Sequence, residues 1–288
     1  MIEADPDPNM PELPEVDAVA QSLRPLVWRQ QIRCVHVLHA IATKPQDPSH
    51  LARIAEGQQI LAVKRRGKYL FLQLPNAIIT LHFKLDGHLL WFSSPAKMLA
   101  VANQPASGVH VDVAFELDSG VLGFADDRHF GRVQAWQSEQ TCPALAALGV
   151  DAMSPDFMPA LFAKLLAASK RPLKDFLLDQ SRIAGVGNIY SCESLWHAKL
   201  NPRRRANSVS AAESRRLHKA IVSVLARALE CCLHPPPDFR DPDWWFQGLE
   251  KNLRVYDREG KPCRRCGNEV KRVAQGGRST YFCAHCQK

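Results

Sequence analysis

The spacing of apolar residues changes twice along the chain, and each change marks a new kind of structure. Residues 1–9, MIEADPDPN, show no apolar pattern and read as a disordered leader. Val16, Val19, Leu23 and Leu26 then recur at helical spacing, predicting one short amphipathic helix over residues 16–26. From about Ile32 to Trp136 the period drops to two. VHVDVAFEL is the clearest case, with Val109, Val111, Val113, Phe115 and Leu117 on one face. QQILAVKRR, YLFLQL and IITLHFKL also read as strands, broken at Pro75-Asn76 and at Asp118-Ser119-Gly120. Such a run of short strands predicts an antiparallel sandwich or barrel. After about Cys142 helical spacing returns over 157–168, 172–178 and 189–198, the last closed by Asn201-Pro202. The strongest helix starts at Ser210, which stands in capping-box spacing with Glu213. Its stripe is Leu217, Ala220, Ile221, Val224, Leu225 and Ala228, and it stops before the linker Pro235-Pro236-Pro237.

Composition narrows the partner. At 288 residues and 46% hydrophobic content the chain can bury a core, which excludes a disordered polybasic tail. No apolar run is long enough to cross a bilayer, and the acidic start lacks the apolar core of a secretory signal. The net charge of +8 points to an anionic partner, nucleic acid before an anionic membrane. The excess is local, since residues 251–288 hold ten Lys/Arg against three acids. The nine cysteines are odd in number, which argues for a reducing compartment rather than a disulfide framework. Cys34, Cys142, Cys192, Cys231 and Cys232 read as small buried hydrophobes.

Three stretches carry candidate chemistry. Cys263-x2-Cys266 and Cys283-x2-Cys286 have the spacing of a four-thiolate zinc site, which leaves no open position and is therefore structural. Disulfides or free thiols are the competing readings. Turns at Gly267-Asn268 and Gln275-Gly276-Gly277 fit a β-hairpin carrying Lys271, Arg272 and Arg278, either for phosphates or as a solvated basic face. Gly185 and Gly187 precede a helix starting near Asn188, a phosphate-binding arrangement that also serves as an ordinary helix entry. Lys174 and the Arg203–Arg205 run lie close by in sequence. In MPELPEV, removal of Met10 would expose Pro11 as a free secondary amine, partly neutral and nucleophilic near pH 7. Glu12 and Glu15 could then move protons or orient a sugar. The other reading is a proline-rich helix entry with Glu12 as a first-turn acid.

MPELPEV, KRRGKYL, DDRHFG, GVGNIY and the C-terminal CRRC…CAHCQK occur in this order from Met10 to Lys288. Together they resemble the formamidopyrimidine-DNA glycosylase family. That resemblance implies an α+β multidomain fold: an N-terminal antiparallel β-sandwich with flanking helices (residues 10–138), a helix–two-turns–helix domain (143–250) and a zinc-finger β-hairpin (251–288). It implies a base-excision-repair enzyme, a bifunctional glycosylase and abasic-site lyase on damaged double-stranded DNA. Pro11 would be the nucleophile at C1′, Glu12 its proton-transfer partner, and Lys68 would act near the sugar and phosphates. Leu85, Arg128 and Phe130 would fill the space left by an extruded nucleotide. Asn188 and Arg278, with Lys174 as a weaker candidate, would grip flanking phosphates. Cys263, Cys266, Cys283 and Cys286 would hold one structural Zn2+. A monomer working on the nucleoid of a bacterial cytoplasm is the corresponding expectation.

The departures bear on the lesion. Leu85 stands where the family commonly has methionine, and Asp127 and His129 where it has proline and arginine. The segment with Trp244 and Trp245 differs from the usual loop over an extruded purine. Oxidised purines are the expected substrates, beside an endonuclease VIII-like preference for oxidised pyrimidines and a non-catalytic DNA-binding zinc protein. Residues 1–9 must be absent for Pro11 to be an amine, so the expectation is a start assigned too early or a leader that is removed.

Overall fold

The computed structural model describes residues 10–102, 109–232, 239 and 249–288. The leader and the tryptophan pair Trp244-Trp245 lie outside the described residues. Helix α1 spans Leu13–Val27, starting before its apolar stripe because its entry is fixed by polar groups. The Glu12 amide donates to Glu15 Oε2 at 2.9 Å, one half of a reciprocal capping box, and Pro14 suits the first turn.

Two antiparallel four-stranded sheets follow. One comprises β1 (Ile32–Val37), β5 (His88–Phe92), β6 (Val111–Leu117) and β7 (Gly120–Ala125), in the order β1-β6-β7-β5. The other comprises β2 (Ala62–Arg66), β3 (Tyr69–Gln73), β4 (Ile78–His82) and β8 (Arg132–Trp136), in the order β2-β3-β4-β8. Leu70, Leu72 and Leu81 of the second sheet meet Val113, Phe115 and Phe124 of the first in one buried cluster, completed by Val16 and Leu23 of α1. This is the expected sandwich, with more burial than a period of two implies. Every residue of β7 is buried, and only Glu116 in β6 is not. The outer faces are covered by short helices that the strand pattern did not predict. Helix α3 (Pro95–Ala102) sets Met98 against Leu90, Phe92, Ala114 and Val121. Helix α4 (Pro143–Ala146) sets Leu145 against Phe71 and Ile78. A further helix, α2 (Pro48–Ala55), is capped by Asp47, whose Oδ1 accepts from the Ser49 amide at 2.8 Å.

The helical region holds α5 (Pro159–Ala167), α6 (Leu173–Leu177), α7 (Asn188–Ala198) and α8 (Ala211–Cys232). The pair β9 (Val150–Asp151) and β10 (Ile183–Ala184) runs parallel ahead of the glycine loop. Helix α8 begins as its sequence predicted, with the Ser210 amide on Glu213 Oε2 at 2.9 Å and the Glu213 amide on Ser210 Oγ at 3.3 Å. After α9 (Leu249–Asn252), the chain ends in the hairpin β11 (Lys271–Gln275) and β12 (Arg278–Phe282), turned at Gly276-Gly277. Gly267-Asn268 does not turn this hairpin. It closes the first cysteine knuckle instead, with the Gly267 amide on the Cys263 carbonyl at 2.9 Å.

The second core joins parts that are remote in sequence. Phe162, Phe176, Tyr190, Leu217 and Ile221 pack with Val270, Tyr281, Cys263 and Cys283 of the hairpin. Leu13 of α1 enters this cluster, while Val16, one turn later, enters the sandwich core. Helix α1 therefore places residues 11–15 at the junction of the two cores. No helix among the described residues is long and apolar enough to cross a membrane.

Candidate active site

The glycine loop is shaped by what approaches it. Glu12 Oε2 accepts from the Gly187 amide at 2.8 Å and Oε1 from the Ile189 amide at 2.9 Å, with the Tyr190 amide at 3.5 Å. A carboxylate 175 residues away in sequence thus caps α7, where the helix presents free amides and the positive end of its dipole. Of the two readings of the loop this favours the helix entry, because these three amides already serve Glu12. The glycines are required by contact with α1. A Cβ on Gly187 would collide with Lys68 Nζ and the Glu12 carboxylate, and one on Gly185, at φ +105°, would collide with Leu13.

Lys68 sits on the tight β2–β3 turn, and its ammonium reaches the same point beside Gly187. Burial pushes the Glu12 carboxyl up from its ordinary value, opposed by the Lys68 charge and the three amides. Burial likewise pulls Lys68 down, opposed by Glu12 and Glu15 and assisted by the positive Arg278. Each group is thus moved toward its neutral form, the poise required of a pair that passes a proton. Behind them Glu15 is pushed up to about 7, first by burial and then by the Glu12 charge, while the Tyr190 hydroxyl that donates to it opposes the shift. Pro11 is buried at the head of this group, next to Glu12.

A part-buried ion-pair network fixes the Lys68 turn. Arg65 donates to Asp151 through Nη1 at 2.6 Å and Nη2 at 3.1 Å, and to Asp17 through Nε at 3.2 Å. The Gly67 amide adds a bond to Asp151 Oδ2 at 2.7 Å. The network joins α1, the β2–β3 turn and the helical region. Sequence reasoning missed Asp151 and the Tyr190–Glu15 contact. The only local signal was Arg65 and Gly67 within KRRGKYL.

Strand register gathers the other candidates. Tyr69 pairs with His82 and His82 pairs with Arg132, so the β2–β3 turn, loop 83–87 and loop 126–131 all leave one end of the second sheet. Leu85 is half-buried and Phe130 is 50% exposed. Arg128 donates to Asp86 through Nη2 at 2.6 Å, which ties the two loops together. Asp126, fully buried, holds loop 126–131 by accepting from the Arg128 amide at 3.0 Å and from the Gly131 amide. Arg132 Nη1 donates to the carbonyls of His129, Phe130 and Gly131.

The proposed phosphate ligands divide. Arg278 is exposed at the start of β12, and Asn188 is buried as the first residue of α7. Lys174 is fully buried, and its Nζ donates to the Ser279 carbonyl at 2.6 Å and to Thr280 Oγ1 at 2.7 Å. This departs from the expected exposed phosphate contact: an ammonium in an apolar core needs such acceptors, and here they belong to the strand that carries Arg278.

Cys263, Cys266, Cys283 and Cys286 bring their sulfurs within 4.8 Å of one another, with Cys266 and Cys283 at 3.6 Å. Four thiolates about 2.3 Å from one ion would lie about 3.8 Å apart, so the cluster fits Zn2+. Two outer donors face the sulfurs, Trp196 Nε1 to Cys263 at 3.3 Å and Asn268 Nδ2 to Cys266 at 3.4 Å.

Comparison with known proteins agrees with this arrangement. Residues 10–133 match the formamidopyrimidine-DNA glycosylase N-terminal domain. Residues 148–233 match the formamidopyrimidine-DNA glycosylase H2TH domain, and residues 260–288 match the zinc finger found in FPG and IleRS. The formamidopyrimidine-DNA glycosylase of Symbiobacterium thermophilum is 38% identical over 281 residues, covering 96% of this chain and 89% of that protein. That of Thermus thermophilus is 38% identical over 285 residues, covering 96% and 98%. The crystal structure of MutM (Fpg) from Thermus thermophilus superposes with a TM-score of 0.81 at 37% identity, covering 96% of this chain and 98% of that one. The Lactococcus lactis Fpg complex with an oxidised pyrimidine containing DNA gives 0.84 at 27% identity, covering 96% and 100%.

Proposed function

The chain belongs to the formamidopyrimidine-DNA glycosylase family, a family of DNA-repair glycosylases, and from that premise we propose that it excises oxidised purines from duplex DNA and then cuts the abasic strand. In this reading Pro11 carries a free amine. Its nitrogen bonds to C1′ as the base departs with a proton supplied at the site. Loss of the nitrogen's proton and opening of the sugar ring give an iminium, an electron sink that labilises the 2′ proton. β-Elimination then breaks the C3′–oxygen bond and δ-elimination the C5′–oxygen bond. Glu12 relays the protons, and Lys68, drawn toward its neutral form by its surroundings, acts beside it near the sugar and phosphates.

Leu85, Arg128 and Phe130 enter the space the nucleotide vacates, while Asn188 and Arg278 hold flanking phosphates. Lys174 serves by fixing the Arg278 strand. The four-cysteine site holds one Zn2+, which stabilises the hairpin through its thiolates and takes no part in the reaction. The enzyme acts as a monomer on chromosomal DNA.

The meeting of Glu12, Lys68 and the α7 N-terminus beside Pro11 carries this reading. Borohydride trapping tests it. Duplexes with 8-oxoguanine should give a covalent protein–DNA adduct that Pro11→Gly largely abolishes, and active protein should have the intact mass of a chain beginning at Pro11. No adduct with either 8-oxoguanine or abasic DNA would leave only a DNA-binding zinc protein. A structural neighbour bound to oxidised-pyrimidine DNA makes such duplexes the second substrate to compare. Faster release from them than from 8-oxoguanine DNA would overturn the purine preference.

A further inference from the structure

Loop 126–131 is anchored at its base by a cluster unconnected with the proton-transfer site. Strand β6 carries a bulge between Val111 and Val113, and the extra residue is Asp112. Its carbonyl accepts from the Leu38 and His39 amides at 2.9 and 3.0 Å, which draws His39 to the strand. Its side chain is fully buried. Oδ1 lies 2.7 Å from His129 Nδ1, and Oδ2 has no hydrogen-bond partner among the described residues. His129 is held in the left-handed region at φ +56°, with its ring centroid 4.8 Å from that of the exposed His39. Ligand atoms of His39, Asp112 and His129 all lie within 4.8 Å of one another.

We propose that His39, Asp112 and His129 form a second metal site that takes Zn2+ or a similar divalent transition ion. Two imidazoles and one carboxylate are a borderline donor set that favours Zn2+, Co2+, Ni2+ or Cu2+ over Mg2+ and Ca2+. A cation also resolves the otherwise costly buried carboxylate oxygen, which no donor among the described residues reaches. With only three protein ligands, the remaining positions go to water. The ion joins the segment after β1 to the loop that carries Arg128 and Phe130, so it stiffens that loop at its root.

Metal analysis of the full chain tests this. After equilibration with micromolar free Zn2+, the wild type should retain two zinc ions per chain, and His39→Ala and Asp112→Asn should each retain one. His39 is exposed, so its variant keeps the fold even if Asp112→Asn does not. Cobalt distinguishes the sites, since one equivalent should give the intense thiolate-to-metal band of the cysteine site and the second only weak bands. A wild type that saturates at one ion, or a second ion that survives in His39→Ala, overturns the proposal.

Discussion

The corner around Glu12 and the paired loops bearing Leu85, Arg128 and Phe130 solve opposite problems. At the corner Glu12 and Glu15 are buried, Lys68 is part-buried, and all are constrained by partners from distant parts of the chain. Glu12 is bonded to α7, Lys68 sits on a turn pinned by Asp151, and Glu15 is bonded to Tyr190. In the loops the restraints stay within the sheet domain, with Asp126 bonding residues two and five positions ahead, Asp86 pairing with Arg128 across the two loops and Asp112 holding His129. The side chains themselves are left partly in water, Phe130 half exposed. In the proposed mechanism the groups that pass protons gain from fixed geometry and low dielectric, which the seam between the cores supplies. Groups that meet DNA need surface, and an exposed side chain can vary with little effect on folding.

The contrast breaks first at Gly187. A methyl group there must displace both the Lys68 ammonium and the Glu12 carboxylate. A shift of about 1 Å at such a site costs roughly 100-fold in rate. Gly187→Ala should therefore slow single-turnover base release by about 100-fold or more while still binding DNA. A wild-type rate would show that this corner tolerates displacement and is not preorganised.

The same corner should impose a pH dependence on stability. Glu15 rises from 4.5 to about 7 on folding, so the native state holds this proton more tightly than the unfolded chain. Its contribution is full below pH 4.5 and is lost as pH climbs through 7, a change of about 3 kcal/mol. Glu15→Gln should flatten that segment of the stability curve in urea titrations across the range. An unchanged slope would mean that Glu15 is not buried beside Glu12 as described.

What the sequence disclosed about these regions depended on range. Ser210 and Glu213 are three residues apart, and the cysteine pairs carry their own spacing, so the α8 cap and the zinc cluster were readable directly. The sandwich was legible as a class, yet β7 is buried on both faces because α3 and other elements cover it, and strand periodicity holds no record of such cover. The glycine loop stayed open between two readings for the same reason. Its glycines yield to Leu13, Glu12 and Lys68, which no local pattern connects to it. Lys174 looked like any other lysine near an arginine run until its two acceptors on β12 were seen. Motif resemblance named Glu12 and Lys68, but the point where they meet is Gly187, 175 residues from Glu12.

Phe130 gives the smallest and sharpest test of the comparison. The ring is 50% exposed and belongs to none of the buried hydrophobic clusters. Its loop is held through the Asp126 carboxylate and through backbone carbonyls facing Arg132, contacts that an alanine at 130 keeps. Phe130→Ala should accordingly change unfolding free energy by no more than about 0.5 kcal/mol. Stacking of an aromatic ring on bases contributes about 1–3 kcal/mol, so affinity for lesion duplex should fall about 5- to 150-fold. Melting and DNA titration of one preparation separate the two effects. If stability falls while DNA affinity holds, Phe130 is a core residue, and the division between a buried chemical corner and a solvent-facing loop pair fails at its clearest point.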